Sequence, residues 1–341
     1  MSINRGASMQ TDTSTESDDT LYIDAISAAL ADEMRADPSV VLMGQDIAGH
    51  GGAFKITRGF LEEFGDQRVR NTPIAESGTI GIAIGSSMLG IKPVVEMQFA
   101  DFISCGFNQI VNVAAKMYWR TKHPVPLVIR LPGGGGMGAG AFHSQNIENW
   151  FLHTPGLKVV SPAYSGDAYR LLRAAIRDPN PVLYFEHKFL YRRERSPLQT
   201  APVPDRILGE SSILRSGTDI TTVSWGWMTH RTLEAAEILS QEGIEVEVID
   251  LPVLSPLDHR GIIASVEKTQ RAAIIHEATC TGGFGAEIAA RICDEAIWSL
   301  DAPVRRITYP DSPPPFHKGL EASRIPSPER ICSELRQLLD V

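Results

Sequence analysis

Three groups in this sequence are of the kinds that move protons or face a flat ligand. Glu76 stands in TPIAESGT (72–79), a carboxylate between an apolar tripeptide and a small-residue run that reads as a helix. The pattern on both sides predicts burial around it. Gly78, Gly81 and Gly85 strip one face of that helix, so another backbone or a flat ligand can come close. The second group is MQFADF (97–102), which offers the Gln98 amide and the Phe102 ring at a strand's carboxyl end, where open α/β sheets put their ligands. The third is His143, which opens His143-Ser144-Gln145 behind a glycine run. Each has a plain structural account. An acid at a helix N-terminus gains about 0.3–1 kcal/mol from the dipole, a lone Phe is core, and a histidine in a glycine loop is structural. All three, however, follow strand ends or helix starts on the same edge of one inferred sheet. That convergence favours acid–base chemistry at a bound ligand.

The elements that must position these groups alternate from Thr20 onward. Ile23, Ile26, Leu30 and Met34 share one helical face, with Thr20 as the expected cap and Asp37-Pro38 as the stop. Strands are expected at 40–46 and 93–99, on either side of a helix over 77–89 that Gly90 ends. A helix over 103–119, a strand at 125–131 and the glycine loop follow, then a strand at 157–162, a helix over 166–177 and a strand at 181–186. Short β-branched runs between helices imply a parallel sheet covered on both faces. The charged, proline-bearing stretch 192–217 reads as a linker. A second α/β series follows, with strands at 220–226, 244–251, 272–277 and 304–310, and helices near 229–242, 258–269 and 285–297. Pro313-Pro314-Pro315 leads to a last helix with Ile331, Leu335 and Leu338 on one face. The halves share an architecture without a sequence repeat. The expected division is a polar disordered tail (1–19), a first α/β unit (20–191), the linker (192–217) and a second α/β unit (218–341).

Composition bounds the function. With 341 residues, 43% of them hydrophobic, the chain can bury two cores. A net charge of −9 argues against nonspecific nucleic-acid or anionic-membrane binding. No apolar run approaches spanning length. Four cysteines form no CxxC, so reduced thiols and a cytoplasmic location are expected. The glycine run at 133–140 lacks the Gly-Lys-Ser/Thr ending of a P-loop. It follows the third strand, whereas a dinucleotide fingerprint follows the first. Neither GxSxG nor HExxH occurs.

Long stretches then carry a family resemblance. TPIAESGTIGIAIGSSMLGIKPVVEMQFADF, RLPGGGGMGAGAFHSQ, HTPGLKVVSP, AAIRDPNPVLYFEHKFLYR and HEATCTGGFGAEIAARI occur in order between about Thr20 and Leu339. They resemble the beta subunit of thiamine-diphosphate-dependent 2-oxo acid dehydrogenases, the decarboxylating component of pyruvate and branched-chain complexes. The resemblance implies a transketolase-like pyrimidine-binding domain (20–191) and a transketolase C-terminal domain (218–341). It implies that Glu76 hydrogen-bonds a ring nitrogen of the cofactor's aminopyrimidine. Exchanging a proton there promotes the imino tautomer that deprotonates the thiazolium carbon, a general acid–base relay through the cofactor. Burial of that carboxyl would raise its pKa and ease the exchange. Phe102 would wall the pyrimidine, where many relatives carry tyrosine, and Gln98 would line its pocket. His143 would hydrogen-bond the substrate adduct and assist acyl transfer to a lipoyl group. Leu127, Ala175, Ile176, Asp178 and Asn180 match positions that bind potassium in some relatives, largely through backbone carbonyls; Asp178 reads equally as a turn residue.

Relatives bind the diphosphate and Mg²⁺ through a Gly-Asp-Gly segment on an alpha subunit, and no GDG occurs here. The resemblance therefore implies a shared site in an α2β2 heterotetramer, with thiamine diphosphate held between subunits and Mg²⁺ mainly by alpha. The C-terminal domain would contact a second copy of the chain and dock the lipoyl-bearing acyltransferase, with the terminal LLDV as a candidate. A complete transketolase in one chain is excluded by length. Two other readings stand beside the leading one: the same cofactor with a different acyl acceptor, as in acetoin cleavage, and a noncatalytic scaffold, which Glu76 and His143 together disfavour.

Overall fold

A computed structural model describes residues 19–198, 203–204 and 206–340. The expected disordered tail, apart from Asp19, and the terminal Val341 lie outside the described residues. Strands in the first half are β1 (Asp19–Leu21), β2 (Val40–Gly44), β3 (Val69–Asn71), β4 (Lys92–Glu96), β5 (Val128–Gly133), β6 (Lys158–Val160), β7 (Val182–His187) and β8 (Arg195–Pro197). The second half adds β9 (Ser212–Arg215), β10 (Ile220–Ser224), β11 (Val246–Asp250), β12 (Val253–Ser255), β13 (Ala272–Thr279) and β14 (Arg305–Tyr309).

All but β1 and β8, which pair with each other, form two large sheets, as the alternating pattern predicts. One has the order β12-β6-β7-β5-β4-β2-β3, the other β14-β13-β10-β11-β9. Each is parallel except for one antiparallel edge strand, β12 in the first and β9 in the second. The central strands β5, β7, β10 and β11 are buried from end to end, as expected for parallel strands covered on both faces. Helices cover both faces. Tyr22–Ala36 buries Ile26, Leu30 and Met34 against the helix Ser165–Arg177, and Pro328–Leu339 buries Ile331, Leu335 and Leu338.

Several local expectations are corrected by pairings between distant residues. Thr20 caps nothing: it lies in β1, antiparallel to β8, and the first helix amides donate instead to Glu194 O (3.1 Å) and Tyr191 O (3.2 Å). The stretch 192–217 holds β8 and β9, each recruited by a partner strand the local pattern does not contain. β12, from the second series, edges the first sheet through β6. The run expected as one helix over 103–119 is instead a 3₁₀ turn (Ala100–Gly106), a π-helical stretch (Gln109–Ala114) and an α-helix (Ala115–Thr121). Single-turn π segments of this kind recur at functional sites.

Beneath the carboxyl ends of the central strands lies a buried ion triad. Arg130 on β5 makes a bidentate pair with Glu186 on β7 (2.7 and 2.8 Å) and a further bond to Glu96 on β4. Tyr191 donates its hydroxyl to Glu186 (2.6 Å). Burial costs each charge, so only full mutual pairing makes the cluster tolerable. It ties together the ends of the three strands whose following loops carry Phe102, the glycine run and Lys188.

In the second sheet, His276 is fully buried on β13, stacked on Trp225 at 5.2 Å and 15°. Burial pushes its imidazole down to about 4. The folded value lies below the unfolded value of roughly 6.5, so the folded state binds fewer protons between the two. This contribution to stability is complete above pH 6.5 and is lost as the pH falls to about 4. The unfolding free energy from urea titrations should therefore drop over that window by about 1.4 kcal/mol per pH unit from this group. His276→Leu should flatten that segment of the curve; an unchanged slope would refute the assignment.

Candidate active site

Glu76 is the first residue of the helix Glu76–Ser87, at its positive end, half-buried, and its carboxylate accepts from Gln45 Nε2 (3.2 Å). The apolar tripeptide before it is not buried as its pattern suggests: Pro73 and Ala75 are exposed and Ile74 is 83% exposed. Ile82 and Leu89 also face outward, at 63% and 86%. The glycine face is open too. A Cβ on Gly85 would meet nothing within 4 Å, and on Gly78 or Gly81 only ordinary contacts at 3.8–3.9 Å. Hydrophobic character and burial part company here, and a large apolar face that no described element covers is the mark of an interaction surface.

The 3₁₀ turn after β4 lies flush on that helix. A Cβ on Gly106 would stand 2.3 Å from Ile80 Cδ1 and 3.6 Å from Glu76 O, so glycine there permits the approach. The turn carries Phe102, whose ring meets the His143 imidazole edge to face at 5.4 Å. Phe99, which the sequence reading passed over, lies closer, at 4.5 Å and 88°. Gln98 is half-buried on the same segment. Phe102, Phe99 and His143 thus form one cluster, on loops that follow β4 and β5.

The glycine run is not free. Gly135 N–H donates to Glu277 (2.6 Å), and Gly136 and Gly138 N–H donate to Glu321 (3.0 and 2.7 Å). Lys188 donates to Gly134 O (2.9 Å) and to His143 O. Burial lowers the Lys188 ammonium to about 8, with Asp101, Glu277 and Glu321 opposing that fall. Gln45, Lys188, Glu277 and Glu321 carry no local signal, because their partners lie far away in sequence.

The potassium candidates lie toward the opposite, strand-start edge of the sheet. Leu127 O accepts Val182 N–H (2.9 Å), and Ala175 and Ile176 close the helix before Asp178. The buried Asp178 carboxylate is engaged by the Lys158 ammonium, Asn180 N–H (2.9 Å) and Ile207 N–H (2.7 Å), a turn-anchoring role. Among the described residues no group of three or more His, Cys, Asp or Glu is arranged to hold a metal. No helix among them is long and apolar enough to cross a membrane.

This fold and site define a transketolase-type protein. The transketolase pyrimidine-binding domain family matches residues 19–194 and the transketolase C-terminal domain family residues 209–331. The 2-oxoisovalerate dehydrogenase subunit beta of Bacillus subtilis is 41% identical over 94% of this chain and 98% of its own length. The mitochondrial pyruvate dehydrogenase E1 component subunit beta-2 of Oryza sativa is 42% identical over 90% of this chain and 83% of its own. A solved split-gene transketolase, an inactive beta4 tetramer, superposes with a TM-score of 0.73 at 23% identity over 94% of this chain and 98% of its own, a likeness of fold. The chain belongs to the beta subunits of the 2-oxo acid dehydrogenases. Membership of this family implies dependence on thiamine diphosphate.

Proposed function

We propose that this chain is the beta half of a 2-oxo acid dehydrogenase that decarboxylates its substrate and passes the acyl unit to a lipoyl-lysine. The observation that carries this reading is the Glu76 carboxylate at the start of an open glycine-faced helix, with the Phe102–Phe99–His143 cluster on loops of the same sheet edge. These residues suit an aminopyrimidine: the carboxylate can accept from and return a proton to a ring nitrogen, the bare helix face admits a flat ring, and Phe102 supplies a wall. Thiamine diphosphate, when bound, would supply the electron sink that decarboxylation of a 2-oxo acid needs. Glu76 holds and moves the proton, Gln45 orients its carboxylate, and Phe102 and Phe99 exclude water. The His143 imidazole, edge-on to both rings, donates to a substrate oxygen and serves the transfer step.

The alpha subunit is assigned to the exposed apolar stretch around Ile74, Ile82 and Leu89, giving an α2β2 assembly. Diphosphate and Mg²⁺ fall to that partner, since no GDG occurs here. A second copy of the chain and the lipoyl-bearing acyltransferase are assigned to the C-terminal unit. Potassium is assigned to backbone carbonyls at Leu127, Ala175, Ile176, Asp178 and Asn180, since a carbonyl with one hydrogen bond retains a second lone pair.

Calorimetry tests the shared site directly. The isolated chain should show no tight thiamine diphosphate binding with Mg²⁺, and addition of the alpha subunit should produce both binding and 2-oxo acid decarboxylation. Tight binding by the isolated chain, or an assembled pair inert toward pyruvate and branched 2-oxo acids, would sink the reading.

A further inference from the structure

The glycine loop has a conformation that fits a known kind of anion receptor. Gly134, Gly136, Gly138 and Gly140 all adopt left-handed φ, from 71° to 86°, alternating with residues of ordinary hand. Such backbone turns successive N–H groups into one concavity that receives a negative charge. Here the charge comes from the protein itself. Glu277 on β13 takes the Gly135 amide, and Glu321, on the short helix Lys318–Ala322, takes those of Gly136 and Gly138 through one oxygen. Both carboxylates belong to the second α/β unit, and Glu321 is 1% exposed.

The rest of the loop is pressed onto the same unit. A Cβ on Gly138 would stand 2.5 Å from Lys318 Cγ, and one on Gly140 would stand 2.4 Å from the Phe316 ring. Glu277 also holds His187 Nε2 (2.8 Å). Although burial opposes it, His187 and the Gly135 amide keep the Glu277 carboxyl below its ordinary value, so the anion persists. The far end of the loop is His143, whose carbonyl Lys188 ties back to Gly134 O. The first turns of this loop carry almost no side chains, so these charged contacts, not packing of its own, hold its course.

We propose that Glu321, seconded by Glu277, is a positioning residue for His143: the C-terminal unit sets the imidazole's place by filling the glycine nest with its own carboxylates. This rests on the role given to His143 above, and it assigns the C-terminal unit a part in the reaction beyond assembly.

The test uses the full chain, alone and assembled with its alpha partner. Hydrogen exchange of amides 135–143 and the His143 ring resonance, assigned through His143→Gln, are read in Glu321→Ala and Glu321→Gln. In Glu321→Ala, loop amides should exchange at least about tenfold faster and the resonance should shift, with β5 amides unaffected. Glu321→Gln retains an acceptor oxygen and should restore most of both. In the assembled enzyme Glu321→Ala should lower kcat by about 10- to 100-fold with KM for the 2-oxo acid little changed, because a misplaced group costs rate more than binding. Should Glu321→Ala fail to fold, Glu277→Gln reads the Gly135 amide and the same resonance. Loop exchange and resonance unchanged in the alanine variant, or equally disturbed in the glutamine variant, would overturn the proposal. A loosened loop and a shifted resonance with undiminished turnover would leave the clasp standing and overturn the catalytic role of His143 instead.

Discussion

Glu76→Gln, assembled with the alpha subunit, is expected to lose decarboxylation by about 10²–10⁴-fold while the heterotetramer still forms. Glutamine keeps the shape of the side chain and can still accept from Gln45 Nε2, so the helix start should survive. It cannot take up and return a proton, and that exchange is the one task the proposed relay gives this residue. The loss of negative charge at the helix N-terminus costs only about 0.3–1 kcal/mol of stability, too little to disturb assembly. The measurements are 2-oxo-acid-dependent reduction of an artificial acceptor and particle mass by light scattering. Full activity would eliminate the relay; loss of activity with loss of the tetramer would assign Glu76 a structural role instead.

The second large effect is on stability. Arg130→Met should destabilise the chain by about 3–5 kcal/mol at neutral pH, because it leaves Glu96 and Glu186 buried with no cation between them. Burial already raises the Glu96 carboxyl, against the pull of Arg130. Without the guanidinium the Glu96 carboxyl should rise further, so the folded state would bind more protons than the unfolded one. The penalty should then be greatest at neutral pH and shrink as the pH falls toward 5, the opposite of ordinary acid denaturation. Adding Glu96→Gln and Glu186→Gln should recover much of the loss. Urea unfolding at pH 5 and pH 8 checks the sign, and a penalty independent of pH would show that packing, not charge, sets the cost. Because the triad joins the ends of β4, β5 and β7, the same variant should disturb the loops that carry Phe102 and His143.

How much of the site was legible follows from how local each signal is. Glu76, Phe102 and His143 stand out in the sequence as candidates because residue type and position relative to a strand or helix end are readable within a few residues. Phe99 was passed over although it lies nearer His143 than Phe102 does, since one aromatic beside another in a short segment carries no sign of which way it points. Gln45 was invisible for a related reason: its contact with Glu76 is made across 31 positions. The tripeptide Pro73-Ile74-Ala75 misled in the other direction. Its apolar character is real, but no described residue covers Ile74.

The sequence by itself determined the two α/β series, the apolar strand runs and helix faces, and the family, because periodicity and motifs are properties of neighbouring residues. Only the tertiary structure decided that β12 edges the first sheet, that 192–217 supplies strands to two sheets, and that the glycine run is a nest filled from inside. The acceptors for that nest lie 142 to 185 positions away. Backbone donors and acceptors must be satisfied somewhere, but which distant group satisfies them is set by how the folded units meet.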